Sequence, residues 1–594
     1  MEEAGAAVMP GRLAALGSRG RARLVAAVTV LVALGAAASA GLDNSATNDE
    51  PYHLLAAWTY VHDGVADLNP EHPPLAKLVA GVALLPLNLH GAFIRPAERL
   101  TSLGAEVRQF LYFNTRPSQA ILNAGRSAEL VFLALLLAGT WAWARELGGE
   151  WAAVLATLAV ASQPLVLGHA FVVHTDVAAA AGWTWTLYLL HRWLSGEGRS
   201  WPAFGIALGL TLLTKFSAVY LVPLAAIAVL VHVLRTRAYR RLGQLAGANA
   251  IALIVLLAGY LVAMRAMTTG EEQTVIAAYL RLWPGTAVLA SRLQVLAAVC
   301  RPLAHYLLGL AYVAQTSAHG QGINFFLGRT SAEGFSLYFP VAFVLKVTLP
   351  YLLLAAAGVL AVLRRPRAGD ALPLAAMVAY LGASTWTSYN IGARHLLPVV
   401  PLLAVVAARR VAAWRREVQG GLAAALLVAG ALPFPHYIAH FSLLVGGPSH
   451  GARYLNDSNL DWGQDWRRLG IIAAAREWRP ISYVYLGAGF PGSDVPASVD
   501  ALARKTTPPG IYAVSSYAAA VGPLYLRALR EEAGAARLVA ILGTLRRQGG
   551  VLAEVGHTIT VYRLPANDGL DQRGNTNHAC RSVPAGATQG PRAP

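Results

Sequence analysis

The sequence has few charged residues and almost no cysteine. Asp, Glu, Lys and Arg make up 13% of its 594 residues, whereas soluble domains are about one-quarter charged. With 56% hydrophobic residues and a mean hydropathy of +0.47, the chain cannot cover its surface in water with polar groups. This excludes a plain soluble enzyme and a disordered protein. The two cysteines, Cys300 and Cys580, exclude a disulfide scaffold and a Cys-based zinc module.

Long apolar runs recur along most of the chain. A bilayer core of about 30 Å needs about 20 apolar residues in a helix. Such runs lie near 22–41, 126–144, 151–168, 175–193, 245–264, 338–363, 371–386, 393–408 and 419–438. The stretch 201–234 is too long for one span and short for two, which leaves counts of about ten or about eleven helices.

The formal net charge of +17 is explained by the placement of arginine. With eleven spans and the N-terminus inside, most arginine clusters, including the one at 235–241, fall on one side. The short loops opposite carry only Lys215 and Arg394. This is the positive-inside pattern of a membrane protein, so the charge does not indicate a nucleic-acid partner. Ten spans would destroy the bias, and we therefore interpret 201–234 as a hairpin of two short helices.

The sequence thus predicts an α-helical polytopic membrane protein of about eleven transmembrane helices with a small extracytoplasmic α/β domain at its C-terminus. The first apolar run is interpreted as a span, because it is long for a signal peptide and lacks a convincing cleavage site. The soluble domain is predicted from three strand-like segments, 481–488, 510–516 and 558–564, and a helical one, 523–542. The predicted parts are a cytoplasmic N-terminus (1–21), a transmembrane domain (22–438) with external loops at about 42–124 and 265–337, the soluble domain (439–565) and a disordered tail (566–594).

Several ionisable residues, which are unfavourable inside a membrane, lie at the outer ends of the predicted helices. Ionisable groups at membrane depth usually mark a site. Carboxylates suit deprotonation of a hydroxyl, and cations suit a phosphate, so the set indicates an anionic substrate and acid–base chemistry. Its members are Asp49, Glu50, Arg126, His169, His174, Asp176, Lys215, Arg394 and His395.

Each of these residues also has a structural explanation. Asp49, Glu50 and Asp176 stand where acids cap a helix N-terminus. Arg126 and Lys215 are placed to snorkel toward lipid headgroups. The histidines, with His53 and His72 among them, are typical of a membrane interface, and their spacing in the sequence does not match a metal-ligand pattern. We therefore predict no metal site from the histidines.

A set of ordered motifs resembles a known family. NDEPYH (48–53), NPEHPPLAK (69–77), GHAFVVHTDVA (168–178) and NIGARHLLP (390–398) are similar to loop motifs of the protein O-mannosyltransferase family. Together with the segment 436–469 they resemble its bacterial branch, which is related to the aminoarabinose transferases. The resemblance runs from about 40 to 470 and implies the GT-C membrane fold. A long loop with the MIR domain of the eukaryotic protein mannosyltransferases does not occur in this sequence, which favours a glycolipid or cell-envelope acceptor over a protein.

The resemblance implies roles for individual residues. Asp49 would be the catalytic base, Glu50 its neighbour, and Asp176 a second carboxylate that helps to position the acceptor. The residues that would hold the carrier phosphate are Lys77, Arg126, Lys215, Arg394 and His395. The candidates for substrate binding are His53, His72, His174, Asp461 and Trp462, the last two in the segment DSNLDWGQD (457–465).

The predicted function is therefore an inverting glycosyltransferase of the inner or plasma membrane. It would move a sugar from a polyprenyl-phosphate carrier to a hydroxyl outside the cytoplasm, with no certain cofactor and a divalent metal left possible. Two alternatives remain open at this point. A flippase for a lipid-linked sugar predicts inverted repeats and helices broken near the middle of the membrane. A non-catalytic assembly protein of the envelope would leave the Asp-Glu and Thr-Asp pairs without a role.

Overall fold

The computed structural model describes residues 17–566 except 92–95, 197–198, 321 and 368, and it describes no side chains for 96–102. The predicted tail, from 567 onward, and the first sixteen residues of the predicted cytoplasmic N-terminus lie outside the described residues. The described part is mostly helical, with one small sheet near its C-terminal end.

The helices before the C-terminal sheet are numbered in chain order. They are α1 (Ser18–Gly41), α2 (Glu50–Trp58), α3 (Leu75–Leu84), α4 (Pro96–Tyr112), α5 (Ser118–Ala161), α6 (Pro164–Ala170), α7 (Asp176–Leu194), α8 (Trp201–Leu212), α9 (Leu221–Thr236), α10 (Arg240–Ala263), α11 (Thr269–Leu280), α12 (Ala287–Val299), α13 (Arg301–His319), α14 (Tyr338–Lys346), α15 (Leu349–Arg364), α16 (Ala371–Ser384), α17 (Val399–Val411) and α18 (Arg416–Ala431). A short antiparallel hairpin of β1 (Asn324–Phe326) and β2 (Arg329–Ser331) follows α13.

Four helical segments are long and apolar enough, by length and composition, to cross a membrane: Ser18–Gly41, Ser118–Ala161, Phe216–Thr236 and Arg240–Ala263. Shorter apolar helices accompany them at Leu75–Leu87, Trp201–Leu212, Ala287–Val299, Leu349–Arg364 and Ala371–Ser384. Large apolar side chains such as Leu31, Ile227 and Ile254 stay exposed, as on surfaces that face lipid. The structure therefore supports a multi-pass membrane protein, and the count of eleven spans stays a prediction.

Two predicted runs share the element α5. Gly149, at φ 83° and ψ −176°, interrupts its helical geometry, in a region of backbone space that is essentially reserved for glycine. The run predicted at 151–168 is also not one helix. It stops at Ala161 and restarts at Pro164, because Gln163 is extended and proline suits the first turn of a new helix.

Other predicted runs are divided in the same way. The stretch 201–234 contains α8 and α9, and between them Lys215 is extended ahead of a 3-10 turn over Phe216–Tyr220. The run 338–363 is split into α14 and α15, and the run 393–408 begins with a 3-10 turn over Ala393–Leu396. Each interruption leaves a non-helical segment at a helix end, where polar side chains can converge.

A five-stranded sheet with the order β4-β3-β5-β7-β6 follows the last long helix. β3 is parallel to β4 and β5, whereas β7 is antiparallel to β5 and β6. The elements are α19 (Trp466–Ala475), β3 (Ile481–Val484), α20 (Pro491–Asp494), β4 (Ser498–Asp500), β5 (Gly510–Ser515), α21 (Ser516–Ala528), α22 (Glu532–Gln548), β6 (Gly550–Val555) and β7 (Ile559–Leu564).

All three segments predicted as strands contain strands, β3, β5 and β7. The single helix predicted at 523–542 is wrong. The structure has α21 and α22 with a break between them, where Arg530 takes a positive φ of 63°. Both helices bury apolar residues against the sheet, in a cluster that includes Leu526, Leu538 and Tyr512.

Candidate active site

The site is assembled from segments that lie between helices. These are the loop after α1, the turn before α7, the break between α8 and α9, the 3-10 turn over Ala393–Leu396 and the segment 457–462. The last segment is tied to the sheet, because the Ser515 hydroxyl and the Tyr517 backbone N–H donate to Asp461 at 2.5 and 2.9 Å. It is also tied to the first loop, where the Asn48 N–H donates to the Trp462 carbonyl at 2.8 Å.

Asp49 is a half-buried carboxylate of this cluster, with 29% of its side chain exposed. Arg394 Nη2 donates to Asp49 Oδ2 at 3.1 Å, and His174 Nε2 lies 3.4 Å from the same oxygen. Desolvation raises the pKa of Asp49, but the Arg394 guanidinium and the His174 ring outweigh it and hold the pKa well below its usual value. Asp49 is therefore ionised at neutral pH and has one open side.

Arg394 connects the members of the cluster and is 2% exposed. Its Nη1 donates to His174 Nε2 at 2.7 Å and lies 3.6 Å from Asp176 Oδ2. Its Nε donates to the Ser458 hydroxyl at 3.1 Å, and its guanidinium stands 4.2 Å from the centre of the Trp462 ring. Ser458 is a contact that the sequence analysis missed, because a serine in a polar loop gives no signal of its own.

Asp176 lies close to a lysine and a histidine. The Lys215 ammonium pairs with Asp176 Oδ1, and His174 Nδ1 lies 2.6 Å from Oδ2. The side chain of Asp176 is 1% exposed, so it is a buried anchor for two neighbours. The structure thus brings Asp49, Asp176, Lys215 and Arg394 together.

Three histidines converge beside these carboxylates. The centre of the His53 ring lies 4.8 Å from the centres of the His72 and His174 rings, and the latter two centres are 5.5 Å apart. One nitrogen from each ring lies within 4.8 Å of one nitrogen of each of the other two rings. The spacing of these histidines in the sequence does not show this proximity, because three separate segments of the chain bring the rings together. The expectation of no metal site stays a prediction.

Burial affects the protonation of two of these histidines. Desolvation lowers the pKa of His53 and of His72 well below the usual value, and the neighbouring imidazoles and Lys77 lower them further. Both rings are neutral at physiological pH and carry a lone pair on one nitrogen.

Glu50 and Arg126 face each other away from this cluster, and both side chains are fully buried. Two hydrogen bonds join them, Arg126 Nε to Glu50 Oε1 at 2.7 Å and Nη2 to Oε2 at 2.6 Å. The remaining donors of Arg126 reach the carbonyls of Gly41, Asn44 and Ser45. The Thr47 and Val173 backbone N–H groups donate to Glu50. The pair therefore fixes the loop that carries Asp49, and Arg126 presents no free donor to a phosphate.

Lys77 is also internal. It is buried, and its ammonium donates to the Tyr60 hydroxyl and to the carbonyls of Asn69 and His72 at 2.7 to 2.9 Å. The structure thus uses it to shape the loop that presents His72, and does not bring it to Asp49.

The remaining predicted residues lie around the cluster. The His395 ring packs near Phe339, at 6.1 Å between ring centres, and the Tyr380 hydroxyl donates to the His395 carbonyl. Trp462 contacts the His174 ring edge-on at 5.6 Å. Asp461 holds the segment to the sheet and does not face Asp49 directly. A buried Lys346, absent from our predictions, donates to the Ile438, His440 and Asn459 carbonyls and so supports the same segment.

Part of the chain matches a known family of proteins. Residues 120–260 match the family model described as dolichyl-phosphate-mannose-protein mannosyltransferase. The predicted resemblance to this superfamily is confirmed over these residues. The matched range includes Arg126, Asp176 and Lys215. No curated protein matches the chain.

Solved structures of membrane glycosyltransferases are also similar to the chain. ArnT from Cupriavidus metallidurans in the apo state is 15% identical over 91% of this chain and 98% of its own, with a TM-score of 0.32. The same protein bound to undecaprenyl phosphate is 15% identical over 91% of this chain and 98% of its own, with a TM-score of 0.31. The archaeal oligosaccharyltransferase AglB from Archaeoglobus fulgidus, in complex with an inhibitory peptide and a dolichol-phosphate, is 15% identical over 69% of this chain and 55% of its own, with a TM-score of 0.42.

Proposed function

We propose that the protein is a membrane glycosyltransferase that moves a sugar from a polyprenyl-phosphate carrier to an acceptor hydroxyl outside the cytoplasm. The match of residues 120–260 to the mannosyltransferase family model supports this class. The observation that carries the proposal is the partly exposed carboxylate of Asp49, which Arg394 and His174 both contact through Oδ2.

Asp49 is the base in this proposal. Its open side accepts the proton of the acceptor hydroxyl while the hydroxyl oxygen attacks the anomeric carbon. A carboxylate with a low pKa is a weak base toward a free alcohol. The hydroxyl becomes strongly acidic only as the new C–O bond forms, so attack and proton transfer are concerted.

The carrier phosphate leaves from the other face of the sugar. It carries negative charge before and after the bond breaks, so it needs little help from a general acid. Cationic groups fixed close to it stabilise the charge that grows on the leaving oxygen. Lys215 and Arg394 are the cations that stand beside Asp49 and Asp176 in the described structure.

A single displacement would invert the configuration at the anomeric carbon. Double displacement needs a second carboxylate that is free to attack the sugar. Asp176, which contacts Lys215 and His174, is 1% exposed and is not free in this sense. The arrangement therefore favours one base and no covalent glycosyl–enzyme.

The test uses purified full-length protein in lipid vesicles with a panel of polyprenyl-phosphate sugars and acceptors. We expect release of the carrier phosphate with one donor class, and we expect turnover to be unchanged in Asp43→Asn. Asp43 is a matched control, because it lies on the same loop and its side chain is 62% exposed. Movement of a lipid-linked sugar across the bilayer without any transfer would overturn the proposal in favour of a flippase.

A further inference from the structure

We infer that His53, His72 and His174 form a binding site for one divalent metal ion of the zinc type. The site adjoins Asp49, so any role of the ion in transfer rests on the function proposed above. Ion binding itself does not depend on that function.

The spacing of the imidazole nitrogens supports the inference. One nitrogen from each ring lies within 4.8 Å of the other two. Zinc–nitrogen bonds of about 2.0–2.1 Å set tetrahedral ligand edges of about 3.4 Å. Side-chain rotations that shorten these distances from 4.8 Å by up to about 1.4 Å would complete the site. Three protein ligands leave a fourth position, as in catalytic zinc sites.

Unpaired nitrogens point to a ligand at this place. His53 is 1% exposed, and neither its Nδ1 nor the buried Nδ1 of His72 has a hydrogen-bond partner in the described part of the chain. A buried polar atom without a partner costs about 1–3 kcal/mol. A metal ion bound to these nitrogens would remove the penalty, because neutral imidazole is a preferred ligand of zinc.

His174 has a carboxylate beside the ring nitrogen that would not bind the metal. Its Nδ1 lies 2.6 Å from Asp176 Oδ2, and a carboxylate on one ring nitrogen directs the other nitrogen toward a metal. That other nitrogen, Nε2, accepts a hydrogen bond from Arg394 Nη1 at 2.7 Å. Metal binding at Nε2 therefore requires this one hydrogen bond to break, and Asp176 Oδ2, 3.6 Å from Nη1, can accept it instead.

The paired groups of the cluster carry no net positive charge. Arg394 and Lys215 are balanced by Asp49 and Asp176, and Arg126 is balanced by Glu50. The phosphate of a carrier lipid would therefore enter a cluster with no net positive charge among these paired groups. A divalent ion on three neutral imidazoles supplies two positive charges next to the place where the phosphate would bind.

The test measures metal on full-length protein purified without chelator. We expect inductively coupled plasma mass spectrometry to find about one zinc ion per chain. After stripping the metal, we expect zinc to rebind and Co²⁺ to give the visible absorption of a tetrahedral nitrogen site. His53→Ala and His72→Ala should weaken rebinding at least about tenfold. His440→Gln should leave it unchanged, since His440 is also buried with an unpaired Nε2 but lies outside the trio.

Two results would overturn the inference: no bound metal in the wild type, or equal metal content in His72→Ala and wild type. His53→Gln and His72→Gln, checked by size-exclusion chromatography, separate loss of a ligand from loss of folding. The metal readout is independent of catalysis. Zinc binding without sugar transfer would reject the proposed function alone, and full transfer by metal-free protein would reject any role of the metal in that reaction.

Discussion

Arg394 Nη2 and Asp49 Oδ2 are 3.1 Å apart, although 345 positions of sequence separate the two residues. The contact joins the loop after the first helix to the turn before α17. His174 contacts the same oxygen, and 29% of the Asp49 side chain stays exposed. Substitution of either partner should therefore change chemistry more than folding.

Arg394→Lys should lower transfer at least about 100-fold, because one ammonium cannot contact Asp49, His174 and Ser458 together in the way that a guanidinium does. The measurement is the rate of carrier release per folded molecule, with the melting temperature recorded alongside. The charge is kept, so we expect only a modest drop in stability.

Arg410→Lys is the matched control for that substitution. Arg410 is also buried and pairs with a carboxylate, Asp370, but it lies in the last turn of α17. Its substitution should leave the rate per folded molecule within about threefold of wild type, since Arg410 lies at the opposite end of α17 from Arg394. Equal losses in both variants would mean that Arg394 acts only in folding.

Glu50→Gln and Arg126→Gln should each destabilise the protein by about 3–5 kcal/mol, because either change leaves a buried charge without its partner. The double variant Glu50→Gln/Arg126→Gln should destabilise the protein by less than the sum of the two single changes. Thermal unfolding in detergent measures all three. A Glu50→Gln variant with normal stability and lost turnover would contradict this structural role and restore Glu50 to the catalytic group.

Gly149→Ala should destabilise the protein by about 1–3 kcal/mol, because alanine resists a backbone at φ 83° and ψ −176°. An added methyl group would meet no atom within 4 Å there, so the cost is conformational. Gly420→Ala offers the comparison. Its added methyl group also meets nothing, and it lies within α18, where alanine is favoured by about 1 kcal/mol. We expect Gly149→Ala to lower the melting temperature and Gly420→Ala to raise it. Equal shifts in the two variants would argue against the break in helical geometry at Gly149.

Asp461 should give the protein a pH-dependent stability. Burial raises its pKa to about 6, although hydrogen bonds from Ser515 and from the Tyr517 and Gly463 backbones partly oppose this. The folded state therefore holds a proton that the unfolded state loses near pH 4. This contribution to stability is complete below about pH 4 and is lost as pH rises through about 6.

The Asp461→Asn variant tests the origin of that pH dependence. An amide keeps an acceptor for the backbone and cannot lose a proton, so the fall in melting temperature between about pH 4 and pH 6 should be smaller than in the wild type. An unchanged pH profile would show that Asp461 does not titrate in this range.

The sequence indicated where the polar residues meet, but not how they pair. Asp49, Asp176, Lys215 and Arg394 were recognisable because charges are rare in so apolar a chain and these stand at helix ends. Which cation takes which carboxylate depends on tertiary packing. Arg126 and Lys77 therefore looked like phosphate ligands, whereas the structure buries both among acceptors of the protein itself.

The sequence also failed to predict the proximity of three histidines and the presence of two strands. His53, His72 and His174 carry no metal motif, because their proximity arises from loops that are distant in sequence. The strands β4 and β6 escaped notice because β4 spans only Ser498–Asp500 and β6 pairs along one edge with an irregular register near Val551. Both missed strands lie at the edges of the sheet, whereas the predicted strands β3, β5 and β7 lie between two neighbours.

The rate of carrier release by Asp49→Asn, compared with wild type and with the Asp43→Asn control, tests the central claim most directly. The amide keeps the shape of the side chain but cannot accept the proton, so turnover should fall by about 10²–10⁴-fold while the affinity for the lipid-linked donor stays within about threefold. Full turnover by Asp49→Asn would contradict the account, because the group proposed to accept the proton would then be dispensable.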